Sequence, residues 1–147
     1  MRKAAFIGVG NMGGALAQAA CRAAGPNQIV LFNRTLAKAN TLAAELGCVS
    51  AKDLVNAVRS AQYLFLGVKP HGLRELLAAL NPVLAQCHRE GQDKVLVSMA
   101  AGVELKSMYQ ALGTVGYDVP LMRIMPNTCV AIGKGITALC APVEVSE

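Results

Sequence analysis

Residues 4–13 read AAFIGVGNMG, an apolar run that leads directly into glycines at positions 8, 10 and 13. The apolar run is typical of a strand buried on both faces, and an alanine-rich helical pattern follows it. In this context the glycines predict a phosphate-binding turn. Gly8 permits the tight turn, Gly10 lets the backbone approach a pyrophosphate, and Gly13 lets the helix pack closely on the strand. The N-terminus of the helix then presents free N–H groups and a positive dipole end to the phosphates.

The rest of the chain alternates between short apolar strands and helices of about ten residues. Strands are predicted at 4–9, 28–32, 48–50, 63–68, 95–98, 119–125 and 136–140. Helices are predicted at 11–24, 36–46, 51–59, 72–80, 82–90 and 104–112, with Pro82 opening a helix of its own. This order predicts an α/β fold with a doubly wound, mostly parallel sheet. We therefore expect one Rossmann-type NAD(P)-binding domain over residues 1–147.

The composition argues against several other classes of protein. The net charge is +5, but the basic residues are scattered and aromatics make up only 4%, so we expect no nucleic-acid partner. The apolar runs are shorter than the roughly 18–20 residues of a membrane span. The five cysteines lack C-x-x-C spacing and there are only two histidines. These features predict reduced thiols in a cytoplasmic protein, with no membrane association and no metal site.

The residues after the second predicted strand bear on the choice of cofactor. An NAD-binding domain usually has an acidic residue here, which accepts hydrogen bonds from the ribose 2′-OH. This chain has Asn33, Arg34 and Thr35 instead. The missing acid removes repulsion toward a 2′-phosphate, and Arg34 offers a charge-assisted contact. NADP(H) is therefore the preferred cofactor, and NAD(H) stays possible. The alternative is a solvated Arg34 beside an ordinary turn and helix N-cap.

Two later loops leave strands at the same edge of the predicted sheet, where ligands of such folds bind. Their small residues allow a nicotinamide ribose to approach the backbone. Lys69 is either a proton donor or a surface lysine. Asn127 follows another strand that ends near the same edge, and it faces either the nicotinamide or the substrate, or caps a turn. No residue is assigned as catalytic. The two loops are Gly67-Val68-Lys69-Pro70 and Ser98-Met99-Ala100-Ala101-Gly102.

Several ordered blocks together resemble the N-terminal half of the pyrroline-5-carboxylate reductase family. They extend over nearly the whole chain and are much more specific together than singly. The blocks are FIGVGNMG at 6–13, NRT at 33–35, FLGVKP at 65–70, SMAAGV at 98–103, RIMPNT at 123–128 and IGKG at 132–135.

This resemblance implies reduction of L-1-pyrroline-5-carboxylate, a small cyclic imine, to L-proline with NAD(P)H. It also implies a homo-oligomeric full-length enzyme. Asn127 is the expected contact to substrate. The cofactor is expected against Ile7, Gly8, Gly10, Asn11, Met12, Gly13, Asn33, Arg34, Thr35, Val68, Lys69, Pro70, Met99, Ala100 and Ala101.

The chain departs from the family pattern in two respects. Cys129 stands where the family usually has a proline, and the chain ends at Glu147, before the family's helical dimerisation domain. We therefore expect this chain to bind NADPH but to reduce the imine poorly by itself. Alternative functions are another NADP-dependent oxidoreductase, such as a coenzyme F420-dependent NADP reductase or a hydroxyacid dehydrogenase, and a non-catalytic NADP(H) sensor.

Overall fold

The structure is a computed structural model that describes residues 1–125 and the backbone of a strand at 138–140. The chain alternates between strands and helices, with a short 3-10 helix at Pro26–Gln28. The strands are β1 Arg2–Ile7, β2 Ile29–Phe32, β3 Val49–Ser50, β4 Ala61–Leu66, β5 Val95–Ser98, β6 Leu121–Met125 and β7 Ala138–Cys140. The helices are α1 Asn11–Ala24, α2 Leu36–Leu46, α3 Leu54–Ser60, α4 Pro70–Arg89 and α5 Leu105–Leu112.

The seven strands form one sheet in the order β3-β2-β1-β4-β5-β6-β7. Neighbouring strands from β3 to β6 are parallel, and β7 pairs antiparallel with β6. The chain works outward from β1 to β3 and then crosses back to place β4 on the other side of β1. This reversal is the topological switch point of a doubly wound fold. The predicted fold class is confirmed.

Alternating side chains of the strands face two hydrophobic clusters, one on each side of the sheet. Ala4 and Phe6 of β1 face the smaller cluster, which α1 and α2 cover. Ala5 and Ile7 face the larger cluster, to which α3, α4 and α5 contribute. The alternation of side chains along the strands therefore places apolar residues on both faces of the sheet, and each face is covered by its own helices.

The prediction of two helices separated at Pro82 is wrong. Helix α4 is continuous from Pro70 to Arg89 and contains Pro82 in its interior. Proline there lacks the N–H that would bond to the preceding turn. The helix continues because its buried side, from Leu73 to Cys87, packs without interruption into the larger cluster. The side chain of Asn81 also holds the helix in place, since its Nδ2 donates to the carbonyl oxygens of Leu112 and Thr114 at 2.7 and 2.9 Å.

Other predicted boundaries shift for local reasons. Helix α3 begins at Leu54 rather than at 51, because Asp53 caps it by accepting a hydrogen bond from the Asn56 N–H at 2.7 Å. Strand β4 begins at Ala61 rather than at 63, directly where α3 ends. Within residues 1–125 and 138–140, none of the helices combines the length and hydropathy that crossing a bilayer requires.

Candidate functional site

The loops singled out from the sequence meet at one edge of the sheet. Strands β2, β1, β4 and β5 are neighbours and parallel, so their carboxyl ends point the same way. The glycine loop follows β1, residues 33–35 follow β2, residues 67–70 follow β4, and residues 99–101 follow β5. We call this carboxyl edge the candidate site.

Three glycines form the close contact at the centre of the candidate site. Gly8 has a φ of +95°, a conformation that L side chains rarely adopt. A Cβ at Gly8 would meet the backbone of Gly67 at 2.8 Å, and a Cβ at Gly13 or at Gly67 would overlap the carbonyl oxygen of Gly8. Both predicted structural roles in the turn are thus confirmed, for the tight turn at Gly8 and for close packing at Gly13. Gly67 is a third member of this contact that the sequence motif does not include.

Gly10 stands apart from the other glycines of the loop. It is exposed at the N-cap of α1, and among the described residues nothing lies within 4 Å of the place where its Cβ would be. Neither protein packing nor a positive φ therefore requires glycine at this position. The space beside it adjoins the first turn of α1, which has free backbone N–H groups and no acidic residue. The N-terminus of α1 therefore has open space beside Gly10.

Asn33 connects the glycine loop to the loop after β2. Its Oδ1 accepts a hydrogen bond from the N–H of Val9 at 3.1 Å, and its Nδ2 donates to the carbonyl oxygen of Thr35 at 3.1 Å. Both polar atoms of the Asn33 side chain are therefore hydrogen-bonded within the protein. These bonds fix the position of the two loops relative to each other.

Exposed cations lie at the start of α2. Arg34 precedes the helix, and Lys38 lies in its first turn, where its N–H bonds to the carbonyl oxygen of Thr35 at 3.1 Å. Thr35 is the N-cap residue, but its hydroxyl makes no capping bond. Lys38 also lines an open groove of about 650 Å³ between α1 and α2, together with Gly10. Positive charge at the positive end of a helix is unfavourable without an anion.

The loops after β4 and β5 form the other half of the candidate site. Lys69 is exposed at the N-cap of α4 and Pro70 opens that helix, while Val68 packs against the larger cluster. In the loop after β5, the N–H of Ala100 donates to the buried Oγ of Ser98 at 3.3 Å. Ser98 therefore shapes the loop that contains Met99, Ala100 and Ala101.

The predicted site residues differ in how they reach this edge. Most lie in the loops just described. The side chain of Ile7, in contrast, is buried in the larger cluster. Only its carbonyl oxygen adjoins the site, where it accepts a hydrogen bond from the Gly67 N–H at 2.7 Å. Asn127 lies outside the described residues. Sequence reasoning did not single out Gly67, Lys38 or Ser98 for these roles. A lysine in the first turn of a helix without acidic residues was the available signal for Lys38.

Residues 3–102 match the protein family described as NADP oxidoreductase, coenzyme F420-dependent. The chain belongs to this family. The glycine loop, Asn33 to Thr35 and the loops after β4 and β5 all fall inside the matched range, which ends before α5.

Individual relatives bear out the resemblance to pyrroline-5-carboxylate reductase. The enzyme of that name from Aquifex aeolicus is 30% identical over 142 residues, which cover 97% of this chain and 49% of the relative. The one from Escherichia coli is 30% identical over 153 residues, covering 99% of this chain and 54% of the relative. A solved pyrroline-5-carboxylate reductase from Coxiella burnetii superposes with a TM-score of 0.83 at 26% identity, over 99% of this chain and 52% of that one. The chain thus spans about half the length of the relatives it matches.

Proposed function

We propose that this chain is the cofactor-binding half of an NAD(P)H-dependent reductase, with NADPH as the preferred cofactor. The observation that carries the proposal is the contrast between Gly10 and its neighbours. Gly8, Gly13 and Gly67 are required by contacts within the protein, whereas the space at Gly10 is free for a ligand. Such a space at the N-terminus of α1 suits a pyrophosphate.

The arrangement of the loops supports one orientation of the dinucleotide. The pyrophosphate would lie against Gly8, Gly10, Asn11, Met12 and Gly13, with the adenosine half toward β2 and the nicotinamide half toward β4 and β5. Arg34 and Lys38 are exposed where a 2′-phosphate would lie, beside the first turn of α2. The loops that contain Val68 to Pro70 and Met99 to Ala101 would enclose the nicotinamide ribose.

The proposed reaction is reduction of L-1-pyrroline-5-carboxylate to L-proline. The relatives named above support this substrate, and the residues of the site suit the chemistry. The bound nicotinamide would supply the hydride, and a protonated cyclic imine is a good acceptor of hydride. This chain would hold the nicotinamide, and the complete enzyme would bring the imine carbon against it. Lys69 is a candidate proton donor, since it is exposed at the N-cap of α4, in the loop after β4.

Substrate binding is proposed to need more than this chain. Asn127 is the expected contact to the imine, and the relatives are about twice as long as the present sequence. We therefore propose that this chain binds NADPH but reduces the imine poorly by itself, and that the complete enzyme is a homo-oligomer. The three described cysteines are free thiols, in keeping with the cytoplasm as the proposed location.

The test is calorimetric titration of the purified chain with NADPH and, separately, with NADH. We expect NADPH to bind more tightly than NADH. ADP-ribose that has a 2′-phosphate should likewise bind more tightly than ADP-ribose without one, by most of the same factor. Equal affinity for both dinucleotides would contradict the assigned preference, and binding of neither would contradict the proposed site. Mixing the chain with NADPH and the imine should then produce little loss of NADPH absorbance. Rapid loss would mean that the chain contains a complete imine site.

A second candidate follows from the family description, which names coenzyme F420. A reductase of that type transfers hydride between reduced F420 and NADP. The same chain should be tested for that exchange spectroscopically, with the imine omitted. A faster hydride transfer between F420 and NADP than from NADPH to the imine would favour this alternative. If a full-length protein bound the dinucleotide but catalysed neither reaction, a sensor function would be favoured.

A further inference from the structure

One polar side chain lies in an otherwise apolar row on the face of the sheet that α3, α4 and α5 cover. Ser98 is the last residue of β5 and is fully buried. It pairs with Leu66 of β4, and the preceding pair on the same face is Leu64 with Leu96. All three leucines belong to the larger cluster. An apolar side chain would be expected beside them, because a hydroxyl costs free energy to bury unless it is hydrogen-bonded.

The hydroxyl of Ser98 has its partner in the loop that follows. Its Oγ accepts a hydrogen bond from the N–H of Ala100 at 3.3 Å, two residues further along the chain. Such a bond closes a tight turn directly after the strand. The turn begins beside β4, since the N–H of Met99 donates to the carbonyl oxygen of Leu66 at 3.4 Å. It then directs the side chain of Ala100, which is 6% exposed, into the larger cluster.

The turn divides this loop into an anchored part and an open part. Ala100 is held by the bond to Ser98 and by its own burial in the cluster. Ala101 and Gly102 are exposed, and Gly102 has a φ of +74°, which lets the chain leave the turn toward α5. The open part of the loop therefore lies at the carboxyl edge of the sheet, within the candidate site.

A single strand separates this loop from the glycine turn. β4 lies between β1 and β5, so the ends of β1 and β5 are about 10 Å apart at the usual spacing of strands. β4 ends at Leu66, and the next residue, Gly67, is the one in contact with Gly8. A dinucleotide with its pyrophosphate at the glycine turn would extend across this strand end, and its nicotinamide ribose would reach residues 99–101.

We propose that Ser98 is a positioning residue for the nicotinamide half of the cofactor, an inference that rests on the proposed function. Because its side chain is fully buried, it does not touch the ligand. It acts through the bond to Ala100, which fixes the backbone of residues 99–101 before the nicotinamide ribose arrives. Preorganisation of this kind removes part of the ordering cost from binding. The adenosine half, on the other side of the glycine turn, does not depend on it.

The first test compares two ligands that differ in the nicotinamide half. Adenosine 2′,5′-bisphosphate has the adenosine and the 2′-phosphate of NADPH but lacks the nicotinamide and its ribose. Ser98→Ala removes the acceptor for the Ala100 N–H and changes little else in size. We expect it to raise the dissociation constant for NADPH at least about fivefold and that for the bisphosphate less than about twofold. Calorimetric titration measures both.

Ser60→Ala is the matched control. Ser60 ends α3 at the opposite edge of the sheet, and its Oγ donates to the carbonyl oxygen of Ala57 at 2.9 Å. This variant also loses one hydrogen bond between a hydroxyl and the backbone, but the loop after β5 is left intact. We expect both ligands to bind Ser60→Ala as they bind the parent chain. Thermal melts check that both variants are folded.

Amide hydrogen exchange tests the turn by a second route. In the free chain, the N–H of Ala100 should exchange at least about tenfold faster in Ser98→Ala than in the parent, and no faster in Ser60→Ala. In the parent chain, NADPH should slow exchange at residues 99–101, whereas adenosine 2′,5′-bisphosphate should not. This last comparison needs no variant, so it decides the question even if Ser98→Ala does not fold.

Three results would overturn the proposal. One is an equal loss of affinity for both ligands in Ser98→Ala, which would mean that the hydroxyl supports the fold as a whole. Another is unchanged exchange of the Ala100 N–H in that variant, and the third is equal slowing of exchange at residues 99–101 by the two ligands. Binding of neither ligand to the parent chain would overturn the cofactor proposal itself, and this outcome is distinct from the other three.

Discussion

The side-chain oxygen of Asn33 accepts a hydrogen bond from the backbone N–H of Val9 at 3.1 Å, across 24 residues of sequence. This bond joins the end of β2 to the glycine loop, so that the loop proposed to select the cofactor and the loop proposed to hold its phosphates form one unit. The Nδ2 of Asn33 extends the connection to the carbonyl oxygen of Thr35. Neutral asparagine suits this position because it accepts on one side and donates on the other.

Replacing Asn33 by aspartate should weaken the binding of NADPH more than the binding of NADH. Asn33→Asp retains the acceptor for Val9 but loses the donor to Thr35, and it places a negative charge where a 2′-phosphate is proposed. We expect the dissociation constant for NADPH to rise at least about tenfold, roughly 1.4 kcal/mol, with a smaller change for NADH. Titration with both dinucleotides measures this. Asn27→Asp, in the 3-10 helix away from the candidate site, is the matched control; an equal loss there would indicate a general effect of charge.

Two glycines in one motif should respond differently to the same added methyl group. Gly13→Ala should strongly destabilise the fold, by about 2 kcal/mol or more, because the new Cβ would overlap the Gly8 carbonyl oxygen. Gly10→Ala should leave the melting temperature nearly unchanged, since no described protein atom lies within 4 Å, but weaken NADPH binding at least about tenfold. Thermal melts and titrations check both. If Gly10→Ala bound NADPH normally, the pyrophosphate would not lie there.

The cations at the start of α2 should discriminate between the two dinucleotides. Arg34→Ala is expected to weaken NADPH binding about tenfold, and Lys38→Ala by a smaller factor, with NADH affected little by either. The loss should decrease in high salt, because the contacts are exposed charge pairs. Lys3→Ala, an exposed lysine near the beginning of β1, serves as control. An equal loss of affinity for NADH and NADPH would mean that Arg34 and Lys38 support the fold of the loop and do not bind the 2′-phosphate.

Lys94 should make stability depend on pH. Its side chain is fully buried, and its Nζ donates to the carbonyl oxygen of Ala61 at 2.7 Å. Burial lowers the pKa of Lys94 from its ordinary value near 10.5. In the window between the lowered pKa and 10.5, the unfolded chain binds more protons than the folded chain, so stability rises with pH.

The comparison with Lys94→Met isolates this effect. Methionine retains much of the length of the chain without the charge. We expect the stability of the parent relative to the variant to increase between neutral pH and about pH 10, as the cost of the buried charge is relieved. Urea denaturation at several pH values measures the difference. Parallel pH profiles for the two proteins would show that Lys94 keeps an ordinary pKa in the folded chain.

Elements with strong local signals were predicted well. The apolar run before Gly8 and the alanine-rich helix after Gly10 appear as β1 and α1, and α2 has the predicted bounds. The interruption at Pro82 was wrong because local propensity was overridden by the buried face of α4 and by the bonds that Asn81 makes to the end of α5. Proline is unfavourable inside a helix, but tertiary packing compensates for one missing hydrogen bond.

By itself the sequence determined the order of strands and helices, the glycine turn and the absence of an acid after β2, because each depends on residues close together in the chain. Tertiary structure alone decided that Gly67 contacts Gly8 and that Asn33 bonds to Val9. Those pairings arise because β2 and β4 lie on either side of β1 in the sheet. Contacts of this kind depend on which elements become neighbours, and residue pattern along the chain does not encode the distance between them.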